Sequence, residues 1–386
     1  MSVFDDLVGQ DEVIGQLQQA VAAARGEHTH GFTHAWLFTG PPGSGRSVAA
    51  RAFAAALQCP DGGCGQGRRC HVCQTVFAGS HPDVDVVTPA GLSIGVAEAR
   101  QIVLRSAMAP GRGGWQVVLL EDADRLTEAA ANALLKAIEE PPPRGVFLLC
   151  LPSPEDLPPT IRSRCRLVRL RTPTAAAVAE HLVRVDGVDP AIASFAARAA
   201  QGHVGRARRL ATDDEARRQR RDALAVPLQL SSVSDCLEVA DALVKASEEE
   251  STRITTPTAV AETAAMREAI GEGAGGKVKV RGTAGIMKDL ERRQKSRETR
   301  SQRDVLDRAL TDLAAFYRDV LLLQTGSTVP LVHGDLSDQL ARVAQRSTPE
   351  ATLRRVDAVL ACRERIAGNV AVLLAVEEMT LALAAG

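Results

Sequence analysis

Residues 36–47, WLFTGPPGSGRS, decide how this chain is read. The apolar run Trp36, Leu37, Phe38 predicts a buried strand, and residues 47–57 have the alanine-rich composition of a helix. Between them, Gly40, Gly45 and Ser47 meet the spacing G-x-x-x-x-G-K-[ST], with Gly43 inside the loop. A strand, such a loop and a helix N-terminus together surround phosphate with backbone N–H groups. The lysine position of the pattern holds Arg46. A planar guanidinium is no equivalent of a compact ammonium at a phosphate, so the loop is a nucleotide-site scaffold with its central residue altered. Such a scaffold could retain ATP or ADP without turning it over.

Outward from the loop, apolar strands alternate with helical patterns. Strands are expected at 85–87, 116–120 and 146–151. Helices are expected at 10–25, 96–106 and 127–140, the last opened by Thr127 and stopped by Pro141, Pro142 and Pro143. The alternation predicts an α/β domain with a doubly wound parallel sheet. The 116–120 strand runs into Glu121 and Asp122. Carboxylates there lie beside the phosphate loop, where one organises Mg²⁺ and another the attacking water. From residue 174 the pattern is helical: 175–185, 190–200 and 205–224 form a small helical domain, and a second helical block runs from 231 to 386. Glycines break that block at 271–285, and Cys236, Cys362 and the tract 370–376 are expected in helix cores.

Of the eight cysteines, Cys59, Cys64, Cys70 and Cys73 crowd into one glycine-rich knuckle. Tight turns that bring four thiolates together suit a tetrahedral, closed structural Zn²⁺ site, and in a reducing compartment that outweighs a disulfide pair. His71 lies between two of the cysteines and is expected to be a bystander.

The length of 386 residues accommodates two or three domains, and 45% hydrophobic but only 3% aromatic residues favour closely packed, alanine-rich helices. No apolar run reaches the length of a membrane span. The N-terminus, MSVFDDLVGQDE, lacks a basic-then-apolar signal, so a cytoplasmic location is expected. A net charge of −1 confines any nucleic-acid contact to local patches. One such patch is residues 277–303, with ten Lys/Arg against three Asp/Glu. Without interleaved aromatics it reads first as a solvated helix face, with DNA contact as the alternative.

Taken in order, VFDDLVGQDEVIGQL, the altered loop, the knuckle followed by GSHPD, VVLLEDADRL, NALLKAIEEPP and the triplet Ser163-Arg164-Cys165 resemble the clamp-loader subunits of bacterial DNA polymerase III, members of the AAA+ ATPases. The resemblance spans residues 3–170; beyond it, only the helical character and a closing helix with Glu377 and Glu378 are similar. It implies a RecA-like AAA+ domain at 1–168 with a parallel sheet and the zinc knuckle at 59–73. A small helical lid at 169–224 and an all-α collar at 225–386, which joins a five-membered ring, would follow.

Within that family, three departures favour the delta-prime type over the hydrolysing gamma/tau type. Arg46 replaces lysine, Glu121-Asp122 inverts the usual Asp-Glu order, and Leu151-Pro152 stands where active members carry a polar sensor. The resemblance then implies a stator with a degenerate nucleotide site built from Gly40, Gly43, Gly45, Arg46, Ser47, Glu121 and Asp122. Arg206 would take the place of the family's second sensor. Arg164 would reach a neighbouring ATPase in trans as an arginine finger, with Arg162 as its nearest competitor. Implied partners are gamma/tau and delta subunits and, through the ring, the sliding clamp and primer–template DNA. Two rival readings stand beside this one: a hydrolysing subunit of the same family, and a zinc-dependent DNA-binding protein using the cysteines and residues 277–303.

Overall fold

The computed structural model describes residues 2–386 apart from 28–30, 65–68, 90, 92, 112–113, 271–282 and 369. The chain divides into two compact units, Met1–Thr212 and Asp213–Gly386.

The first unit is built on β1 (Ala35–Thr39), β2 (Val84–Val87), β3 (Gln116–Leu120), β4 (Gly145–Leu151) and β5 (Arg166–Arg169), all parallel, in the order β2-β3-β4-β1-β5. Every residue of β1, β3 and β4 is buried, as a parallel sheet covered on both faces requires. Successive side chains alternate between two cores. Trp36, Phe38, Val117, Leu119, Val146, Leu148 and Cys150 face α1 (Asp11–Ala24), α2 (Arg46–Gln58) and α3 (His71–Phe77). Leu37, Val118, Leu120, Phe147, Leu149 and Leu151 face α4 (Val96–Ser106) and α5 (Glu128–Glu139). Alanines at six buried positions of α2 let its backbone approach the sheet, and Phe53 fills the remaining space edge-on to Trp36, 4.9 Å between ring centres.

The expected α/β class with a parallel sheet is what the chain adopts, with two local additions. β5, RLVR, has no counterpart in the strand expectations, because alternating arginines conceal its short apolar content. It is an edge strand, and Arg166 covers the Trp36 ring at 5.1 Å. The end of the knuckle runs into α3 (His71–Phe77), which seats Cys73 in the core. After the short α6 (Pro159–Arg162), the unit is completed by α7 (Ala175–Asp186), α8 (Pro190–Ala199) and α9 (Val204–Thr212). Thr174 and Asp189 cap α7 and α8.

The helical stretch expected at 205–224 breaks at Asp213, whose carboxylate accepts the Glu215 N–H and opens α10 (Asp214–Ala225) of the second unit. That unit packs α11 (Val233–Ile270), α12 (Thr283–Gln324), α13 (Ser337–Arg346), α14 (Pro349–Ala367) and α15 (Val372–Ala385) around Leu310, Leu313, Phe316, Val320 and Met379. Cys236 and Cys362 are buried there. The tract 370–376 is only partly core: Ala375 and Val376 are buried, while Leu373 and Leu374 are exposed. Of the basic run 277–303, residues 277–282 lie outside the described residues; the remainder begins α12, where Arg292 pairs with Asp289 and Arg297 with Glu262.

Candidate nucleotide site, cysteine cluster and surface arginine

Strand β1, between β4 and β5, delivers the chain into the loop at the carboxyl edge of the sheet, and α2 starts directly after it. Gly40, Gly43 and Gly45 all have positive φ (153°, 85° and 92°). At Gly40 a Cβ would lie 2.5 Å from the Leu170 carbonyl oxygen, and at Gly43 2.6 Å from the Cβ of His203. Only glycine therefore allows the strand end and the α8–α9 corner to approach the loop. Gln10, 4% exposed, ties these parts together: its amide donates to the carbonyls of Ser44 (3.3 Å) and Arg171 (2.6 Å) and accepts from the Arg171 N–H (3.2 Å).

A cavity of about 430 Å³ opens on the loop, lined by Ser44, Arg46, Ser47 and Arg51 on one side and by His181 and Arg208 on the other. That volume suits a small-molecule ligand. The Arg46 guanidinium folds back and donates to the Gly40 carbonyl at 2.5 Å. Glu121 continues the odd-numbered face of β3 toward α2 and meets Arg51 there, Nη2 to Oε1 at 3.0 Å, while the Thr88 hydroxyl donates to Oε2 at 3.0 Å. Asp122 takes a left-handed conformation (φ 51°), with Arg125 at 4.0 Å. Leu151, the last residue of β4, is fully buried in the α4/α5 core. Arg208 lines the cavity, whereas Arg206 does not. The His181 ring is 2% exposed; burial lowers its pKa and outweighs Asp6, so the ring is neutral at neutral pH. Its Nε2 lies 3.3 Å from Arg208, which also pairs with Asp186.

The four cysteines converge. Sγ–Sγ separations are 3.7 Å for Cys59–Cys64, 3.8 Å for Cys59–Cys70 and 3.4 Å for Cys64–Cys73, and all four sulfurs lie within 4.8 Å of one another. Tetrahedral Zn–S bonds of about 2.3 Å would set sulfurs about 3.8 Å apart, so the donor set fits that metal. Backbone N–H groups of Cys64 and Cys70 point at the sulfurs of Cys59 (3.3 Å) and Cys64 (3.1 Å). Burial opposes ionisation of Cys59, but surrounding backbone N–H groups outweigh it and lower the pKa, favouring thiolate. His71 is exposed and outside the cluster.

Arg164 follows α6 at the surface. It donates to the Thr160 carbonyl and ion-pairs with Glu139 at the end of α5, both at 2.6 Å, and each side chain of the pair is 40% exposed. Arg162 pairs loosely with Glu155 at 3.8 Å.

The family profile described as DNA polymerase III, delta subunit, matches residues 9–174. The delta' subunit of Pseudomonas aeruginosa is 42% identical over 164 residues, covering 41% of this chain and 49% of that protein. The tau subunit of Bacillus subtilis is 33% identical over 251 residues, covering 62% of this chain and 40% of that protein. Over this N-terminal stretch the chain is similar to DNA polymerase III clamp-loader subunits. It spans less than half the length of either relative. A gamma subunit-related protein from Thermotoga maritima aligns over 96% of this chain and 99% of its own at 15% identity and TM-score 0.42, a likeness from which nothing about the site follows.

Both kinds of clamp-loader subunit are among the relatives, so the choice between them rests on the chemistry of the site. The residues that alter the site most, Arg51 and Thr88, carry no motif of their own. Arg51 lies five residues beyond Arg46 on α2, and Thr88 directly follows β2, the strand paired with β3. Neither spacing discloses that both groups close on Glu121. Asp6, Gln10, His181 and Arg208 are likewise brought to the loop by tertiary structure alone.

Proposed function

We propose that this chain is the delta-prime-type, non-hydrolysing stator of a DNA polymerase III clamp loader. The observation that carries the reading is Glu121: the carboxylate at the end of β3 is already engaged by the Arg51 guanidinium and the Thr88 hydroxyl. An active site of this class needs that position for the metal that neutralises the phosphates. Arg46 turned onto Gly40 and an apolar Leu151 at the sensor position argue in the same direction. In this reading Gly40, Gly43, Gly45, Arg46, Ser47, Glu121 and Asp122 are the remnants of a nucleotide site that serves as a scaffold for ATP or ADP, with Arg208 in place of Arg206 on the cavity wall. Arg164 serves a neighbouring ATPase in trans. Cys59, Cys64, Cys70 and Cys73 hold one structural Zn²⁺, which stabilises the knuckle and supplies no chemistry.

The partners of this reading are gamma/tau and delta subunits, with the clamp and primed DNA reached through the ring, in the cytoplasm. Its parts are the nucleotide fold at 1–168, a lid at 169–224 and a collar at 225–386. Among the described residues no helix is long and apolar enough to cross a membrane. The test is ATP turnover by the full chain. The expected rate is indistinguishable from background; turnover at the rate of a hydrolysing subunit, abolished by Ser47→Ala, would establish the gamma/tau reading instead.

A further inference from the structure

The fold implies Mg²⁺ beside the phosphates, and the acidic strand end does not fit it. Both oxygens of Glu121 are engaged, Oε1 by Arg51 Nη2 and Nε at 3.0 and 3.3 Å and Oε2 by Thr88 at 3.0 Å. A dication would have to displace a guanidinium already bound there. The cavity instead carries three guanidinium groups, Arg46, Arg51 and Arg208, the last two already paired with Glu121 and Asp186, and one carboxylate, Asp6, which itself ion-pairs with Arg69 at 2.8 Å. Two buried polar atoms on its wall, Ser44 Oγ and His181 Nδ1, have no hydrogen-bond partner, and each residue is 2% exposed. Oxygen-rich anions satisfy such a lining.

We propose that the cavity takes the phosphates of a nucleoside di- or triphosphate without magnesium, neutralised by Arg46, Arg51, Arg208 and the N–H groups of the loop. The proposal rests on the non-hydrolysing reading of the same site. Arg51 occupies the metal's place on Glu121 while its guanidinium remains on the cavity wall. No bond is made or broken; the arginines supply charge only.

The test is titration of the full chain with fluorescent ADP in excess EDTA and again in excess Mg²⁺. The expected dissociation constants agree to within about twofold. Arg51→Ala should weaken binding in EDTA by about tenfold or more and make it magnesium-dependent, because Glu121 is released. Arg51→Lys, which keeps the charge, should fall between the two and guards against misfolding of the alanine variant. Tightening of wild-type binding by magnesium of about tenfold or more, or the absence of saturable binding in both conditions, overturns the proposal. Magnesium dependence without ATP turnover leaves the stator reading in place; ATP turnover removes that reading.

Discussion

Replacing Arg164 with alanine separates a trans-acting role from a structural one, because the two predict effects of very different size. Within this chain the guanidinium contacts the Thr160 carbonyl and Glu139, in a pair whose side chains are each 40% exposed. An exposed ion pair contributes below about 1 kcal/mol, since solvent screens it and two long side chains must be ordered. Arg164→Ala should therefore lower Tm by no more than about 2–4 °C. An arginine finger removed from a phosphoryl-transfer site costs about 10³–10⁵ in rate, or about 4–7 kcal/mol of barrier. The loss falls only on the ATP site that borders this subunit, so total turnover by a ring with several sites falls by less. The assay uses rings reconstituted with gamma/tau and delta subunits, in which ATP hydrolysis stimulated by primed DNA and clamp loading are measured side by side. Arg164→Ala should assemble and fail to load clamps at the normal rate. Arg164→Lys should rescue poorly, lacking the planar fork. Glu139→Ala removes the ion pair but keeps the guanidinium and should load normally. A ring carrying Arg164→Ala that loads at the wild-type rate refutes the argument, as does equal impairment by Glu139→Ala.

Elemental analysis of protein purified without chelator should find one zinc per chain, and Cys73→Ser, at a fully buried position, should lose the metal; a metal-free wild-type protein would count decisively against the site. In the second unit, Asp319 is fully buried and accepts hydrogen bonds from the backbone N–H (2.8 Å) and the ring (Nδ1, 3.1 Å) of His333, with Arg318 at 3.2 Å. Burial pushes this carboxyl upward, but the His333 contacts outweigh it and hold the pKa below the usual carboxylate range. A depressed pKa contributes stability that is complete above the unfolded value, about 3.9, and is lost as pH falls through the folded value. The stability difference between wild type and Asp319→Asn, from urea unfolding, should thus be level above about pH 5 and shrink on further acidification. A difference that grows toward acid would contradict the pairing.

What residues 36–47 and 59–73 specify is legible without coordinates, because their chemistry is local. A buried strand, glycines at fixed offsets and a following helix produce a phosphate loop wherever they fold, and four cysteines joined by tight turns stay close together. The parallel sheet is legible for a similar reason: 116–120 and 146–151 are short continuous apolar runs, which only strands covered on both faces require. β5 is not legible, since RLVR reaches its place by pairing with β1, 130 residues earlier in the chain, and not by its own composition. The state of the site also belongs to the tertiary structure. Glu121 reads in the sequence as a metal-binding carboxylate, and only the packing of α2 on the face of the sheet that holds Val117 and Leu119 brings Arg51 onto it across 70 residues. Arg208 in place of Arg206, and Gln10 between the loop and the strand end, depend likewise on how helices rotate and dock. Local patterns set backbone conformation and the identity of the donors present; which charge meets which is decided when distant elements pack, because an ion pair forms by proximity in space and leaves no spacing in the chain.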